Sequence, residues 1–97
     1  MRREHYVYVV TNSHHTVLYT GVTHDLLARV WRHRAGHGGK FTAKYRCSKL
    51  VFYEIFLDPY NAIVREKQIK AGSRRRKIEL IERSNPEWLD LYDQLQP

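Results

Sequence analysis

The sequence contains a single cysteine, Cys47, and no long hydrophobic run among its 97 residues. One cysteine excludes an internal disulfide, and the opening residues 1–5 lead into a predicted strand instead of the apolar segment of a signal peptide. The histidines show no recognisable zinc-ligand spacing with Cys47, so a structural zinc site is not expected. We therefore expect a cytoplasmic protein in a reducing compartment, without a membrane span.

Acidic residues are scarce in the first four fifths of the chain. Residues 1–78 carry 16 of the 17 lysines and arginines but only five of the ten acidic residues, and the formal net charge is +7. This polarised positive potential attracts polyanions, so nucleic acid is the leading partner class. An anionic membrane surface is a weaker alternative, and a basic surface that serves only solubility is the third interpretation.

Two β-branched and aromatic segments, His5–Val10 and Thr16–Val22, lie near the start of the chain, with four polar residues between them. This pattern predicts an antiparallel hairpin. If residues 12–15 form its loop, Tyr8 lies opposite Tyr19 on the same face. A slip of one residue would destroy that pairing, because neighbouring residues of a strand point to opposite faces.

Helical spacing follows the hairpin. With Thr23 as the N-cap, a helix over residues 25–34 carries an apolar stripe composed of Leu26, Leu27, Val30 and Trp31. Arg29 and His33 are four residues apart, so both lie on one face that borders the stripe and can point into one cleft. The alternative is an ordinary solvent-exposed pair.

The remaining elements are a basic loop that is mobile by composition, a third strand and three further helices. The loop covers residues 40–49 and the strand covers Leu50–Phe56, and the helices begin after Asp58, Ser73 and Asn85. The order ββαβααα predicts an α+β fold, with a small mixed or antiparallel sheet covered by helices. The length and the 42% hydrophobic content predict a single domain over residues 1–97, with its core at about 4–92.

Two charged features conflict with local folding rules. Glu66 lies within the predicted buried arc of the second helix, next to Ala62, Ile63 and Ile69, so it should pair with a basic side chain or hold a cation. A salt bridge to an arginine is the simpler interpretation. The third helix begins with Ser73 and four cations at the positive end of its dipole, where a bound phosphate would relieve the repulsion. A solvated run of charge is the alternative there.

Taken in order, these residues resemble the GIY-YIG nuclease superfamily, in its small stand-alone bacterial form, similar to the N-terminal domain of excision nucleases. The matching elements are Tyr6-Val7-Tyr8 for GIY, Tyr19-Thr20-Gly21 for YIG, the helical Arg29 and His33, the glutamate segment Arg65–Lys70, and the C-terminal Asn85–Trp88. The match covers nearly the whole chain, and five elements in the correct order make the combination specific.

The resemblance implies a three-stranded antiparallel sheet flanked by helices, and divalent-metal-dependent cleavage of DNA phosphodiester bonds. It implies that Glu66 holds one Mg²⁺ or Mn²⁺ and that Arg29 stabilises the charge of the transition state. His33 and Tyr19 would position or deprotonate the attacking water, with Tyr8 as the other candidate base. A phenol is ionised to only about 10⁻³ at pH 7, so the base would need a nearby cation.

We expect no separate recognition domain of the kind that larger family nucleases carry, and therefore non-specific contacts with the nucleic-acid backbone. The candidate contact residues are Arg2, Arg3, Lys40, Lys44, Arg46, Lys49, Arg74, Arg75, Arg76 and Lys77. Val22 follows Gly21 where some family nucleases have an assisting lysine, and Lys40 and Lys44 are the candidates to substitute for it. Two alternatives follow. The protein is a non-catalytic DNA- or RNA-binding module beside a repair or ribosomal partner, or the tyrosines and Glu66 have purely structural roles.

Overall fold

The protein is described by a computed structural model over residues 3–95, so the predicted DNA contact Arg2 lies outside the described residues. The three strands form one antiparallel sheet in the order β2-β1-β3. The predicted α+β fold and its three-stranded antiparallel sheet are therefore confirmed. The elements within that range are β1 (His5–Thr11), β2 (Leu18–Thr23), α1 (Leu26–Arg34), α2 (Lys40–Tyr45), β3 (Lys49–Phe56), α3 (Pro59–Ala71), α4 (Arg74–Ser84) and α5 (Tyr92–Leu95).

The register between β1 and β2 differs from the predicted one by two residues. Tyr8 lies opposite Gly21, and Tyr19 lies opposite Val10, so the predicted pairing of Tyr8 with Tyr19 was wrong. A shift of two residues keeps every side chain on its own face of the sheet. The two tyrosines therefore still share a face, and their ring centroids are 6.5 Å apart.

The hairpin loop is longer than predicted because Asn12 organises it. Its side-chain Oδ1 accepts hydrogen bonds from the backbone N–H groups of Thr16 and Val17, at 2.9 and 3.1 Å. The hydroxyl of Thr11 donates to the carbonyl of Val17 at 2.7 Å. These bonds hold residues 12–17 in a compact loop, and the second strand begins only at Leu18.

The sheet separates two halves of the core. A β-bulge in β3 makes Val51 an extra residue, since Val9 pairs with Phe52 and Val10 with Leu50. Alternate residues of β1 point to opposite sides. One half of the core consists of Val7, Val9, Val51, Phe52, Ala62, Ile69, Ile81 and Trp88. The other half consists of Tyr8, Val10, Leu26, Val30, Cys47 and Leu50.

Helix α1 begins one residue later than predicted. Asp25 is its N-cap, because its carboxylate accepts a hydrogen bond from the backbone N–H of Ala28 at 3.2 Å. The Thr23 hydroxyl instead accepts from the N–H of Asp25 at 3.1 Å. Thr23 thus shapes the turn before the helix and was wrongly predicted as the cap.

The buried face of α1 is narrower than the predicted stripe. Leu26 and Val30 are buried as expected, whereas Leu27 is 37% exposed and Trp31 is 58% exposed. The buried side continues to His33, which is 3% exposed. At 100° per residue, positions 26, 30 and 33 share one narrow face, while positions 27 and 31 lie about 90° and 130° from its centre.

Part of the predicted mobile loop forms α2. This helix has six residues, and its one buried side chain is the polar Thr42. A segment without an apolar stripe carries little helical signal in the sequence. Its conformation depends on tertiary contacts, and the element order is ββααβααα.

The start of α3 agrees with the prediction. The Asp58 carboxylate accepts hydrogen bonds from the N–H groups of Tyr60 and Asn61, Pro59 is the first helical residue, and Gly72 is the C-cap. Ser73 caps α4 through a bond from the N–H of Arg76 at 3.1 Å. No helix within residues 3–95 has the length and hydropathy that a membrane span requires.

Asn85 ends α4 and does not begin a further helix, so the predicted cap at Asn85–Pro86 was wrong. The Asn85 side chain is buried and donates to the carbonyls of Val51 and Leu89, at 3.0 and 2.9 Å. Its Oδ1 accepts from the N–H of Leu89 at 2.9 Å. The side chain therefore fixes a non-helical segment against β3, and α5 starts only at Tyr92.

Candidate active site

The site is centred on Tyr8 in the middle strand of the sheet. Its side chain is fully buried, and it lies across Gly21 of the neighbouring strand. A Cβ atom at position 21 would come within 2.5 Å of the Tyr8 hydroxyl oxygen. Glycine is therefore required at this position for a steric reason, because any side chain would occupy the place of the phenol.

The Tyr8 hydroxyl is hydrogen-bonded to His33 of α1. Tyr8 Oη lies 2.9 Å from His33 Nε2, and His33 Nδ1 lies 3.1 Å from Thr42 Oγ1 in α2. Thr42 Oγ1 in turn donates to the carbonyl of Gly39 at 3.4 Å. This chain assigns the proton of the neutral imidazole to Nδ1, so Nε2 accepts from the phenol.

The His33 ring is held in place by a close approach of the backbone. A Cβ atom at Gly38 would collide with His33 Nδ1 and Cε1. The turn between α1 and α2 therefore closes over the imidazole, and Thr42 contacts its Nδ1 from the following helix. The two helices together leave the ring a single orientation.

Burial controls the protonation of the Tyr8–His33 pair. It raises the pKa of Tyr8 to about 12, although Arg29 lies close enough to lower it by hydrogen bonding and by charge. Burial, reinforced by the positive charges of Arg29 and Arg32, lowers the pKa of His33 to about 4. At pH 7 both partners are neutral, so the proton between them stays on the phenol.

Tyr19 borders this pair on the solvent side. The side chain of Tyr19 is half-buried, and its ring centroid lies 5.7 Å from that of His33 and 6.5 Å from that of Tyr8. Tyr8 and His33 are themselves in ring contact, with centroids 5.6 Å apart. The structure therefore brings three of the predicted site residues into one cluster.

Glu66 approaches this cluster from α3. Its negative charge makes the smallest contribution to the raised pKa of Tyr8, so the carboxylate lies within electrostatic range of the phenol. The side chain is 15% exposed and lies 3.3 Å from Lys70 Nζ, one turn along the helix. The predicted salt bridge thus exists, but with a lysine instead of an arginine. Ile63, predicted to flank Glu66 within the core, is 43% exposed.

The donor set at Glu66 fits a magnesium-like cation shared with a substrate. Within residues 3–95, no three side chains of His, Cys, Asp or Glu come together as a complete metal cage. Mg²⁺ commonly binds proteins through one or two carboxylates and takes its other ligands from water and substrate phosphates. A single carboxylate that is 15% exposed and acts electrostatically on the Tyr8 phenol matches that pattern.

The predicted basic contacts are distributed over several elements. Arg74 Nη2 donates to the carbonyl of His15 at 2.8 Å, Lys49 Nζ lies 3.0 Å from His15 Nε2, and Arg75 Nε lies 3.3 Å from a Glu79 carboxylate oxygen. Arg3, Lys40, Lys44 and Arg46 are exposed. Arg76 and Lys77 line a cavity of about 380 Å³ between α3 and α4.

Sequence reasoning missed Thr42 and Gly38, the residues that orient His33. Thr42 lies nine positions after His33, in the basic segment 40–49 that was predicted as a mobile loop. Gly38 lacks a side chain and thereby makes room for the imidazole. No periodic pattern could reveal either role, because both depend on contact between separate elements.

Comparisons with known proteins identify the family of the chain. Residues 4–79 match the family model of the GIY-YIG catalytic domain. A UPF0213 protein of Staphylococcus haemolyticus is 42% identical over 79 residues, which cover 81% of this chain and 95% of the relative. A UPF0213 protein of Staphylococcus aureus is 40% identical over 77 residues, covering 79% and 93% of the two chains.

A solved structure is also similar. The solution NMR structure of a UPF0213 protein from Bacillus halodurans superposes with a TM-score of 0.58 at 30% sequence identity, covering 90% of this chain and 92% of that one. The family model and the fold thus agree with the motifs in the sequence. The chain belongs to the GIY-YIG family of nuclease domains.

Proposed function

We propose that the protein is a divalent-metal-dependent endonuclease that hydrolyses DNA phosphodiester bonds. The observation that carries this proposal is the buried hydrogen bond of 2.9 Å between Tyr8 Oη and His33 Nε2. The Tyr19 ring borders this pair, and the charges of Arg29 and Glu66 act on the phenol. A phenol and an imidazole in this arrangement can exchange a proton, and the charged groups around them can stabilise a phosphate. The catalytic residues we assign are Tyr8, Tyr19, Arg29, His33 and Glu66.

In this proposal Glu66 holds one Mg²⁺ or Mn²⁺ together with the scissile phosphate. When bound, the cation would polarise the phosphate and neutralise the charge that develops on it. Arg29 is half-buried beside Tyr8, so its guanidinium can donate to the non-bridging oxygens of the same phosphate. Stabilisation of this kind is among the largest contributions that a preorganised site makes.

The two pKa values favour a proton relay over a free phenolate. Ionising a phenol with a pKa of about 12 at pH 7 costs roughly 7 kcal/mol, whereas protonating an imidazole with a pKa of about 4 costs roughly 4 kcal/mol. Tyr8 Oη therefore takes a proton from the attacking water as it gives its own proton to His33 Nε2. Tyr19, the tyrosine that borders solvent, admits and positions that water.

DNA is the substrate class that best matches the charge distribution. The basic residues of the first 78 positions supply contacts with the phosphate backbone, which carry little information about sequence. We therefore expect cleavage with relaxed sequence preference. The candidate contacts within the described residues are Arg3, Lys40, Lys44, Arg46, Lys49, Arg74, Arg76 and Lys77. Arg75 is paired with Glu79 and is not counted among them.

A plasmid-nicking assay with Mg²⁺ or Mn²⁺ tests the proposal. Glu66→Gln should abolish nicking, because it removes the carboxylate that would hold the cation. Glu79→Gln is the matched control, since it breaks a second ion pair across one helical turn at the same 3.3 Å distance, and it should nick normally. Activity in Glu66→Gln equal to that of the unsubstituted protein would exclude this mechanism.

Substitution of each tyrosine separates the two candidate bases. If Tyr8 acts in the relay, Tyr8→Phe should lower the nicking rate by roughly 10² or more. Tyr19→Phe keeps the ring that borders the pair and should have the smaller effect. Full activity in Tyr8→Phe together with inactivity in Tyr19→Phe would assign the base to Tyr19 instead.

The burial of Tyr8 also favours a second candidate function, a nucleic-acid-binding module without cleavage. A fully buried phenol with a pKa of about 12 is inert unless the substrate opens a path to it. Such a module would bind DNA or RNA with a steep salt dependence and cleave neither with any divalent metal. Nicking that depends on Glu66 would exclude it.

A further inference from the structure

A row of three aromatic rings extends outward from the candidate site. Tyr19, which contacts His33, lies 6.1 Å from Phe41, and Phe41 lies 4.9 Å from Tyr45, measured between ring centroids. Phe41 is 47% exposed and Tyr45 is 40% exposed. We call these three residues the aromatic row.

Helix α2 connects the row to the reacting groups. Phe41 and Tyr45 are one helical turn apart and share a face, whereas Thr42 points about 60–100° away from them and bonds to His33 at 3.1 Å. One short helix thus orients the imidazole and displays two rings toward solvent. A group held on the rings would be adjacent to the cluster of Tyr8, Tyr19 and His33.

Positive charge surrounds the exposed rings. Lys40, Lys44 and Arg46 belong to the same segment and are exposed, and Lys44 Nζ lies 5.3 Å from the centroid of the Tyr45 ring. Exposed aromatic faces among cations form the combination that binds single strands: bases stack on the rings, and phosphates face the ammonium and guanidinium groups. A duplex keeps its bases stacked on each other and cannot use such rings.

We propose that the aromatic row holds unpaired bases, which makes single-stranded DNA the preferred substrate of the site. This inference rests on the proposed nuclease function and adds its substrate class. Bases stacked on Phe41 and Tyr45 would bring the adjoining phosphate past Tyr19 to Tyr8, His33 and Arg29. Duplex DNA would bind through its backbone alone.

Binding measured without divalent metal tests this preference separately from cleavage. Fluorescence anisotropy in EDTA would compare a labelled single-stranded oligonucleotide with its own duplex. Phe41→Leu and Tyr45→Leu should each weaken single-strand binding by roughly five-fold or more, and duplex binding by less than about two-fold. The Tyr60→Leu variant is the matched control, because Tyr60 of α3 is 71% exposed and forms no ring pair within residues 3–95.

A stacking signal and the salt dependence distinguish rings from charge. The fluorescence of 2-aminopurine in the single strand should be quenched on binding, and Phe41→Leu should remove part of that quenching at saturation. The Lys44→Gln variant should instead lower the slope of log K against log salt by about 0.7. Phe41→Leu should leave that slope unchanged, since it removes no charge. Thermal unfolding of each variant would verify that the fold is retained.

Equal losses for single strand and duplex, or unchanged affinity in both ring variants, would overturn the proposal. Quenching that persists in a folded Phe41→Leu, Tyr45→Leu double variant would do the same. Because no metal is present, these outcomes do not depend on whether the protein cleaves DNA. Single-strand preference without nicking would support the aromatic row and contradict the nuclease function. Nicking of duplex DNA alone would support the nuclease function and contradict the role of the aromatic row.

Discussion

At the scale of single residues, the site depends on the absence of a side chain at two positions. Gly21 leaves room for the Tyr8 phenol, and Gly38 leaves room for the His33 ring. Neither residue carries a functional group. Both fix the positions of groups that do, since any Cβ there would displace one member of the Tyr8–His33 hydrogen bond.

We expect Gly21→Ala to separate the Tyr8 hydroxyl from His33. The new methyl group would lie 2.5 Å from Tyr8 Oη, and relief of this overlap should cost roughly 1–3 kcal/mol of unfolding free energy. The nicking rate should fall by a factor of about 10², which is the loss expected when a general acid or base is displaced. Gly72→Ala is the control, because its Cβ meets no atom closer than 3.4 Å. A Gly21→Ala protein with an unchanged nicking rate and an unchanged free energy of unfolding would contradict this prediction.

His33 should make the protein sensitive to acid. Its pKa is about 4 in the folded protein against an ordinary 6.5, mainly because it is buried and also because of Arg29 and Arg32. The unfolded chain therefore binds a proton more readily between these two values. The stabilisation is present above pH 6.5 and is lost as the pH falls toward 4, in an amount of roughly 3 kcal/mol.

Urea unfolding at several pH values measures this contribution. Between pH 6.5 and 4, the free energy of unfolding should fall by roughly 3 kcal/mol more in the native sequence than in His33→Gln, which cannot take up this proton. The exposed His24 provides the control, and His24→Gln should retain the full acid dependence. If the free energy of unfolding depends on pH in the same way in the native sequence and in His33→Gln, the imidazole is not buried and neutral.

At the scale of elements, Asn85 joins the end of α4 to the edge of the sheet. Its buried amide bonds to the carbonyls of Val51 and Leu89 and to the N–H of Leu89. We expect Asn85→Ala to lower the free energy of unfolding by roughly 2–4 kcal/mol, because it leaves buried backbone groups without partners. Chemical denaturation would measure the loss.

Ser84→Ala is the matched control for Asn85→Ala. The Ser84 side chain makes one bond, to the carbonyl of Ile81 at 3.5 Å, in an exposed residue. Its removal should cost under about 1 kcal/mol. Similar losses in the two variants would show that the Asn85 amide does not anchor this segment.

The sequence was informative about elements where one pattern sufficed. Alternation gave the strands and the shared face of Tyr8 and Tyr19, and the Asp58-Pro59 pair gave the start of α3. The hairpin register was missed because Asn12 bonds to two N–H groups and lengthens the loop. Helix α2 was missed because its buried residue is a threonine that faces a histidine from another helix.

At the scale of the whole molecule, two of the five acidic residues after position 78, Glu82 and Asp90, have partners inside the fold. The Asp90 carboxylate accepts from the N–H of Leu50 at 3.2 Å and lies 3.6 Å from Arg34. Glu82 accepts from the indole N–H of Trp88 at 2.8 Å. Of these two carboxylates only Asp90 lies beside a cation among residues 3–78. Most of the positive charge of that segment therefore remains available to a polyanion.

The cavity between α3 and α4 provides a test of where that charge acts. Arg76 and Lys77 line it together with Arg83, whereas Arg75 is 90% exposed and paired with Glu79. If DNA phosphates contact this cavity, Arg76→Gln should reduce the salt dependence of duplex binding. The slope of the logarithm of the binding constant against the logarithm of the salt concentration should decrease in magnitude by about 0.9. Affinity should fall uniformly across sequences, as expected for a backbone contact.

Arg75→Gln changes the net charge by the same amount and therefore separates a local contact from the general field. Its guanidinium is already engaged by a carboxylate, so its loss should leave the slope nearly unchanged. Anisotropy titrations of both variants over a range of salt concentrations would measure the difference. Equal decreases in slope would show that DNA responds to the total charge of the molecule, whereas a decrease confined to Arg76→Gln would locate a phosphate beside α4.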